Sequence, residues 1–422
     1  MQALGELATL IYPEFHTSFG GARRGRDAEP FQLEVLEMSH RTIGVCFVAT
    51  LAAILILPGL CVTPNASGET VVSWTFAVYM SVDNDLEDDW ESASLPSLLS
   101  IPVSPDIRIA VMVDRLATDG TELLEISGDS YQVVNTYPEM NFGDGATFSW
   151  FISEVSTLYP SEKLSVTASD HGAGWKEFSY DQTSGDEIRM PEMKAAIEDA
   201  GVFIDILSFD ACLMGSIEVA YEAYTTGLVH YMVGSEESVP LEGFPYDDML
   251  TSAALDPTRT PAQVAVDMVD GYGQHYDQTS AMSVTLSAVD ILSIGQSTAT
   301  FQTWCGLMHD NLGAYGRVYK DALKTAYIAF GTMNYVDMAD LGDTLLADSR
   351  FSDPALRSAT TGMVAAIDSA VIAIYANHDC PDSRGLTLYW ATKGEWRYFG
   401  ANYADVQFAI DMGWADFLAD YN

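Results

Sequence analysis

Two side chains with the chemistry of a nucleophile and a base follow two neighbouring apolar runs of the chain. His171 lies in the segment SDHGAGW, and Cys212 lies in the segment SFDACLMG. The runs before them, residues 164–169 and 204–210, are typical of buried parallel strands. Open α/β sheets place their chemistry beyond the carboxyl ends of such strands. The two segments therefore predict an imidazole and a thiol at one edge of a parallel sheet.

The thiol of Cys212 has two interpretations. A lone cysteine where a strand meets a helix is most often a small buried residue. Cys212, however, follows a predicted strand and opens a predicted helix, and a helix amino terminus favours the thiolate, which is the form that attacks a carbonyl carbon. The imidazole of His171, at the equivalent position on the preceding major strand, can take up the thiol proton and return it to a leaving amine. We therefore predict a catalytic dyad, with the backbone amides of Gly172 and Cys212 binding the oxyanion.

The elements that must position this dyad alternate between strand and helix patterns. Apolar runs predict the strands 74–81, 107–114, 164–169, 204–210 and 229–234, with a hairpin at 122–127 and 131–136. Helical patterns follow at 86–99, 147–158, 191–200 and 216–225. This alternation predicts an α/β fold with a mainly parallel sheet and helices on both faces. Beyond residue 255 we predict the helices 261–272, 292–312, 355–376 and 403–418 and the strands 283–289 and 385–390.

The charge and the cysteines of the chain limit its partners and its compartment. Its 422 residues include 60 acidic and 19 basic side chains, which give a formal net charge of -41. Such a surface repels phosphate, which excludes nucleic acid as a partner. Two of the five cysteines, Cys46 and Cys61, lie in an apolar segment near the start. In an exported protein Cys305 and Cys380 can form a disulfide, which leaves Cys212 as the free thiol.

An uncharged apolar segment, residues 43–62, indicates export. It is interpreted either as a secretory signal peptide or as a membrane anchor, because about 20 apolar residues are enough to span a bilayer. Both interpretations place the rest of the chain outside the cytoplasm, and the second adds membrane association. We accordingly divide the chain into an N-terminal extension with the signal peptide or anchor (1–68), a catalytic domain (69–255) and a C-terminal mixed α/β part that packs on the catalytic domain (256–422).

Three blocks of the sequence carry a resemblance to a known family. They are FAVYMSVDNDLE at residues 76–87, DHGAGW at 170–175 and FDACLMG at 209–215. On these blocks the chain resembles the clostripain family of cysteine peptidases, which are related to caspases, gingipains and legumains. The resemblance is best over residues 74–246. It implies a caspase-like α/β/α sandwich, a Cys-His dyad without an obligatory third member, and cleavage after a basic residue, with Arg preferred over Lys.

A pocket for a basic side chain needs carboxylates, and three acidic residues are candidates. Asp210 precedes Cys212 by two residues, close enough to line the pocket. Glu236 and Glu237 follow the next strand and are predicted to form the opposite wall. In a chain with 60 acidic residues, a solvated loop carboxylate is the alternative interpretation for each of them.

The resemblance also raises the questions of metal binding and self-processing. It requires no cofactor and leaves calcium as an optional ligand, for which Asp83 and Asp85 are candidates. These two side chains have the alternative role of capping the helix that follows, and their spacing is not that of an EF-hand. Relatives mature by cutting themselves between the histidine and the cysteine, and Arg189 is the predicted position of such a cut.

These observations predict an exported cysteine endopeptidase that binds protein or peptide substrates with basic residues. In this mechanism Cys212 attacks, His171 transfers protons, and Asp210 selects the basic side chain. Two alternatives stay open. One is a catalytically silent surface protein that keeps the fold for binding, and the other is a peptidyl transferase that uses the same dyad with an amine acceptor.

Overall fold

The computed structural model describes residues 71–118, 120–279, 282–329 and 334–422. All of them belong to one compact unit, Pro64–Asn422. The apolar segment at residues 43–62 lies outside the described part of the chain. Among the described residues, no helix has both the length and the hydropathy that crossing a membrane requires.

A large mixed sheet forms the centre of the unit. Its nine strands, in chain order, are β1 (Val72–Val82), β2 (Ile107–Arg115), β3 (Thr121–Ser127), β4 (Ser130–Tyr137), β5 (Ser161–Ser169), β8 (Ile204–Asp210), β9 (Val229–Gly234), β10 (Thr285–Asp290) and β12 (Val371–Ala376). Their spatial order is β12-β10-β9-β8-β5-β1-β2-β3-β4. The five strands from β9 to β2 are parallel to one another. The strands at both ends pair antiparallel.

The central strands are apolar on both sides because both faces of the sheet are covered. In β1, Ala77 and Tyr79 pack into one core cluster, whereas Phe76 and Val78 pack into the cluster on the opposite face. This alternation follows from the period of two along a strand. A continuous apolar run is typical of a parallel strand with helices on both faces. The predicted α/β/α sandwich with a mainly parallel sheet is therefore confirmed.

Helices connect and cover these strands. α1 has three pieces, Glu87–Asp89, the π-helical turn Trp90–Ser94 and Leu95–Leu99. The others are α2 (Gly145–Leu158), α3 (Met190–Ala200), α4 (Ile217–Thr225), α5 (Tyr246–Leu255), α6 (Pro261–Thr279), α7 (Ile291–Gln296), α8 (Thr298–Asp310), α9 (Leu312–Ala322), α10 (Met338–Ala347), α11 (Pro354–Ala370), α12 (Lys393–Tyr403), α13 (Gln407–Met412) and α14 (Trp414–Tyr421). Two small antiparallel pairs complete the described elements. They are the hairpin of β6 (Phe178–Asp181) with β7 (Asp186–Ile188) and the long-range pair of β11 (Tyr335–Asp337) with β13 (Thr387–Tyr389).

The second half of the chain differs most from the prediction. The predicted helix 355–376 ends at Ala370, because Val371–Ala376 forms the edge strand β12 against β10. The predicted helix 403–418 is interrupted at Gly413, which has a left-handed φ of 65°. Strands β10 and β12 also lie beyond residue 255 and extend the sheet that the earlier segment begins. Strands on both sides of the predicted boundary near residue 255 therefore belong to one continuous sheet.

The three cysteines in the described residues are all free thiols. The optional disulfide between Cys305 and Cys380 is not formed. Cys305 lies on the buried face of α8. The Cys380 thiol instead donates to the Val284 carbonyl at 3.3 Å and to Asn377 Oδ1 at 3.1 Å.

Candidate active site

The dyad residues follow two adjacent parallel strands. β5 and β8 pair with Ser169 opposite Asp210, and the Asp170 amide donates to the Asp210 carbonyl at 3.1 Å. The backbone segments that follow β5 and β8 therefore leave the sheet side by side. His171 and Cys212 both line a cavity of about 50 Å³ at this edge. The structure thus brings the predicted imidazole and thiol to one site.

The backbone after His171 approaches the backbone of Cys212 very closely. A Cβ atom added to Gly172 would lie 2.7 Å from the Cys212 carbonyl oxygen and 2.9 Å from the Ala211 Cβ. No real side chain fits at that distance, so glycine is required here for steric reasons. Gly172 and Cys212, the two residues predicted to bind an oxyanion through their amides, therefore stand next to each other.

The turn that carries Cys212 is held by the loop after β9. The Leu213 amide donates to the Glu237 carbonyl at 3.0 Å, and the Gly215 amide donates to the Ser235 carbonyl at 2.7 Å. Leu213 has a φ of 65°, a conformation that is rare for a residue with a side chain. The hydrogen bonds of this turn maintain the strained conformation and fix the direction of the thiol.

One expectation about the thiol is wrong. Helix α4 begins only at Ile217, with Ser216 as its N-cap, so Cys212 does not open a helix. Burial raises the pKa of the Cys212 thiol above its ordinary value, and the carboxylates of Asp210 and Asp170 raise it further. The raised pKa favours the protonated form of the thiol in the free protein. The thiol needs a base to become a nucleophilic thiolate. The N-terminus of α4 is not placed to stabilise that thiolate, because the helix begins five residues later.

His171 is held by Asp85 rather than by a buried group. Its Nε2 lies 2.9 Å from Asp85 Oδ1, and the two side chains are 41% and 82% exposed. The sequence makes Asp85 a candidate metal ligand, whereas in the structure it contacts the imidazole of His171. One nitrogen of the ring is engaged by this contact, and the ring stays accessible from solvent.

Asp170, which sequence reasoning did not single out, anchors the segment that carries His171. Its buried carboxylate accepts hydrogen bonds from Asn84 Nδ2 at 2.7 Å and from the Tyr180 amide. Burial raises the pKa of this carboxyl to about 7, although the neighbouring His171 lowers it. Asn84 also donates to the Tyr180 carbonyl at 2.9 Å. The segment is thereby fixed to the end of β1 and to the β6–β7 hairpin.

Asp210 lies in the cavity wall beside Cys212, as predicted. It is 4% exposed, and its Oδ2 accepts hydrogen bonds from Ser169 Oγ at 3.0 Å and Tyr246 Oη at 2.9 Å. Oδ1 has no partner of good geometry among the described residues, although the Phe244 amide lies near the carboxylate and lowers its pKa. Burial has the larger effect and raises the pKa of Asp210 to about 6. The cavity wall therefore contains a buried carboxylate, Asp210, with one oxygen that has no hydrogen-bond partner among the described residues.

The rest of the cavity wall is mainly apolar. Its apolar part comprises Met80, Val82, Leu86 and Trp90 from the β1–α1 region and Val239, Pro240, Leu241 and Gly243 from the loop after β9, which we call the 239–243 loop. Asp89 and Ser94 of α1 also line the cavity. A volume of about 50 Å³ has room for a few water molecules.

Glu236 and Glu237 are buried away from this cavity. Glu236 is 1% exposed; its Oε2 accepts from Ser383 Oγ and, at 3.1 Å, from the Gly385 amide. Glu237 contacts the hydroxyl of Tyr327. Neither residue lines the cavity, because the C-terminal part of the chain covers both side chains. The structure therefore does not place them as the opposite wall of a pocket, and the 239–243 loop occupies that position.

Arg189 is an exposed residue at the start of α3. Its side chain pairs with Glu187 at 3.0 Å, and its amide donates to Glu192 Oε2 at 3.0 Å as part of a capping box. Met190, on the other side of the peptide bond, is fully buried. The peptide bond after Arg189 therefore lies at the N-terminus of helix α3.

Comparisons with known proteins agree with this architecture. The sequence profile of the clostripain family matches residues 78–421. Clostripain from Hathewaya histolytica is 26% identical over 215 residues, which are 41% of this chain and 40% of that relative. The match thus spans well under two thirds of the relative's length.

Three solved structures share the fold. An inactive zymogen C11 protease from Parabacteroides distasonis superposes with a TM-score of 0.64 at 19% identity, covering 82% of this chain and 99% of that one. The secreted C11 cysteine protease iotapain from Bacteroides thetaiotaomicron gives a TM-score of 0.65 at 14% identity, with 81% and 100% covered. A secreted C11 cysteine protease of the same organism, in complex with an irreversible peptide inhibitor, gives 0.63 at 18% identity, with 81% and 99% covered. Since the family profile covers most of the sequence, this chain belongs to the clostripain family of cysteine peptidases.

Proposed function

We propose that this chain is an exported cysteine endopeptidase that hydrolyses peptide bonds after basic residues, with arginine preferred over lysine. The observation that supports this proposal best is the meeting of three side chains, His171, Cys212 and Asp210, on one cavity at the ends of β5 and β8. Family membership supports the reaction type. The peptide inhibitor bound to one structural neighbour supports the substrate class.

The proposed reaction has two halves. His171 takes the proton of the Cys212 thiol, and the sulfur attacks the scissile carbonyl carbon. The oxygen then carries the negative charge and is held by the amides of Gly172 and Cys212, each worth about 3 kcal/mol in comparable sites. When the C–N bond breaks, the imidazolium returns its proton to the leaving amine. A water molecule, deprotonated by His171, then hydrolyses the thioester and releases the thiol.

Asp85 has a positioning role in this proposal. It engages Nε2 of His171 at 2.9 Å, which leaves Nδ1 to exchange the proton with the thiol. The contact is largely exposed to solvent, so it contributes little energy. We expect it to orient the ring.

The carboxylate of Asp210 links substrate choice to thiol activation. Its charge raises the pKa of the Cys212 thiol in the free protein. A substrate arginine that pairs with Asp210 neutralises this charge and thereby removes one cause of the raised pKa. The preferred substrate thus assists the formation of its own nucleophile, which is expected to appear in kcat as well as in KM.

A panel of fluorogenic peptides tests the proposal. The peptides differ only in the residue before the scissile bond, which is Arg, Lys, Gln, Asp or Leu. We expect turnover of the Arg peptide, slower turnover of the Lys peptide and none by Cys212→Ala. Cys305→Ala, which removes a buried thiol remote from the cavity wall, is the matched control and should retain activity. Turnover by Cys212→Ala equal to that of the parent, or cleavage of the Asp peptide alone, would contradict the proposal.

We also propose export through the apolar segment at residues 43–62. Two of the structural neighbours are secreted proteases, and the segment carries no charged side chain. Fractionation of cells that express the full chain, followed by intact mass measurement, tests this. The protease is expected in the medium or on the cell surface. A full-length cytoplasmic product would contradict export.

Self-processing after Arg189 is proposed as a slow step. The Arg189 side chain is exposed, but the peptide bond that follows lies in the capping box of α3 beside the buried Met190. The first turn of α3 must therefore open before the bond can enter an active site. Incubation of the purified chain, followed by sequencing of new amino termini, should detect Met190 as a terminus in the parent and not in Cys212→Ala or Arg189→Gln. Unchanged processing in Arg189→Gln would exclude this bond.

A further inference from the structure

One small element of the C-terminal part contacts both turns that carry the dyad residues. It is the antiparallel pair of β11 and β13, in which Tyr335 lies opposite Tyr389 and Asp337 lies opposite Thr387. Every residue of the two strands is buried. Buried and mutually packed side chains keep their rotamers, which makes such an element suitable for holding catalytic residues in place. We call it the β11–β13 pair.

Tyr335 of this pair holds the turn that follows His171. Its hydroxyl donates a hydrogen bond to the Ala173 carbonyl at 2.6 Å. Burial raises the pKa of Tyr335 well above its ordinary value, so the hydroxyl keeps its proton across the neutral range. The ring lies against Gly174, where φ is 65° and an added Cβ would stand 2.8 Å from the nearest ring atoms. Residue 174 must therefore be glycine for the turn to lie against Tyr335.

A second aromatic contact joins the same turn to the C-terminal part. The ring of Trp175 packs against Tyr389 and Tyr403, with centroid separations of 5.0 and 4.9 Å. On the other side of His171, the buried Asp170 is held by the end of β1 and by the β6–β7 hairpin. The segment with the imidazole is thus fixed by the first half of the chain before His171 and by the second half after it.

Thr387 of β13 holds the turn that follows Cys212. Its amide donates to the Gly215 carbonyl at 2.9 Å, and its hydroxyl donates to the same carbonyl at 3.3 Å. Ser216, the N-cap of α4, forms a parallel bridge with Thr387. The β11–β13 pair therefore contacts the main chain three residues after the thiol, as it does two residues after the imidazole.

We propose that Tyr335 is a positioning residue, which keeps the imidazole of His171 within reach of the Cys212 thiol. It acts through its hydrogen bond to the Ala173 carbonyl, and the inference rests on the proposed peptidase function. A general base acts when its nitrogen lies within about 2.6–3.2 Å of the proton donor in the reacting complex, and a misplacement of about 1 Å can cost about 100-fold in rate. Because the β11–β13 pair also holds the turn after Cys212, loss of the Tyr335 hydrogen bond frees one turn while the other stays fixed.

Tyr335→Phe tests the proposal, because it removes the hydroxyl and keeps the ring. We expect kcat for the Arg peptide to fall about tenfold through a partial loss of alignment. KM should change less than about twofold, since Tyr335 does not line the cavity. The matched control is Tyr319→Phe, which removes another buried tyrosine hydroxyl that donates to a backbone carbonyl, that of Met308 at 3.2 Å. It should lower the thermal unfolding midpoint by a similar amount and leave kcat unchanged.

In an active parent, kcat decides the outcome. A kcat of Tyr335→Phe equal to that of the parent would overturn the proposal, as would an equal fall in Tyr319→Phe. If Tyr335→Phe does not fold, Gly174→Ala is the second variant, because its methyl group pushes the turn away from the Tyr335 ring. Its control is Gly227→Ala, at a glycine with a φ of 66° and no atom within 4 Å of the added Cβ. Equal kcat values for these two variants would then overturn the proposal.

A readout without substrate separates this proposal from the proposed function. Iodoacetamide reacts with the thiolate, whose formation His171 assists, so the alkylation rate of Cys212 reports the alignment of the dyad. Mass mapping of the modified peptide assigns the reaction to Cys212 rather than to the buried Cys305 and Cys380. If the parent cuts none of the peptides, the proposed function fails and this rate decides about Tyr335. Tyr335→Phe should then be alkylated about threefold more slowly than the parent at about pH 7, and equal rates would overturn the proposal.

Discussion

Two buried carboxylates beside neighbouring strands of the same sheet have opposite surroundings. Asp210 ends β8 and faces a cavity, whereas Glu236 follows β9 and is covered by later parts of the chain. The Ser383 hydroxyl and the Gly385 amide bind one oxygen of Glu236, and the carboxyl of Asp337 lies against it. The difference teaches that burial at a strand end does not create a binding group. What covers the carboxylate decides whether it is available to a substrate or serves the fold.

The largest expected effect comes from removing the charge of Asp210. Asp210→Asn should lower kcat/KM for an Arg peptide by about 100-fold, because a buried charge pair with the substrate is lost. The matched Gln peptide should be cut equally well or better, since the variant no longer buries a negative charge beside the thiol. Both rates are measured with the same peptide sequence.

Glu236→Gln is the matched variant for this comparison. It should change kcat/KM for the Arg peptide less than about threefold, because Glu236 does not line the cavity. An equal loss for both peptides in Asp210→Asn would show a structural role for Asp210. A strong loss of Arg selectivity in Glu236→Gln would show that Glu236 reaches the substrate after all.

The pH dependence of substrate preference at acid pH tests the role of Asp210 without mutation. Burial raises the pKa of Asp210 to about 6, although Ser169, Tyr246 and the Phe244 amide oppose the shift. Only the ionised carboxylate pairs with an arginine. The ratio of kcat/KM for the Arg peptide to that for the Gln peptide should therefore fall about tenfold for each pH unit below the pKa. The titrations of the dyad are common to both peptides and cancel in the ratio. A ratio that stays constant down to pH values well below 6 would exclude Asp210 as the partner.

The sequence predicted Asp210 and failed for Glu236 for a physical reason. Parallel strands end at one sheet edge, so local patterns are enough to bring His171, Cys212 and Asp210 together, and the structure places them on one cavity. The cover of Glu236 comes from Ser383, 147 residues further along the chain. No local pattern contains such a contact. Strand β12 was not predicted for the same reason, because its partner β10 lies far from it in sequence.

Asp85 and its sequence neighbour Asp83 show the same limit. The sequence grouped Asp85 with Asp83 because they are close along the chain. In the structure Asp85 turns outward to His171, whereas Asp83 turns inward to Asp114 and Asp181. An acidic residue at the end of a strand was a usable signal for Asp114. Its meeting with Asp181 depends on the β6–β7 hairpin, which the alternating pattern did not predict.

A moderate effect is expected on the free energy of unfolding, through the titration of the covered residue Glu236. Burial raises the pKa of Glu236 well above its ordinary value, and the neighbouring Asp337 raises it further. A raised carboxyl pKa means that the folded protein holds a proton that the unfolded chain has released. Stability from this group is therefore lost as pH rises from the unfolded pKa towards the folded one.

Glu236→Gln should flatten that dependence. The amide mimics the protonated acid, so the variant is expected to match the parent near pH 5 and to exceed it by about 1 kcal/mol near pH 8. Urea unfolding at the two pH values measures the difference, and the exposed Glu162→Gln is the control. A variant that is less stable than the parent by the same amount at both values would mean that the pair carries no shared proton.

The smallest expected effect concerns the hydrogen bond that tunes Asp210. Tyr246 Oη donates to Asp210 Oδ2 at 2.9 Å and lowers the pKa of the carboxyl. Tyr246→Phe should therefore move the acid limb of the Arg-to-Gln ratio to higher pH by about half a unit, a few-fold effect at one pH. Tyr272→Phe is the control, because the Tyr272 hydroxyl is buried and has no hydrogen-bond partner among the described residues. If both variants shift the limb equally, the packing of the aromatic rings rather than the hydrogen bond sets the charge of Asp210. If only Tyr246→Phe shifts it, the Tyr246 hydrogen bond is one of the contacts, with Ser169 and the Phe244 amide, that keep the cavity-facing carboxylate of Asp210 ionised.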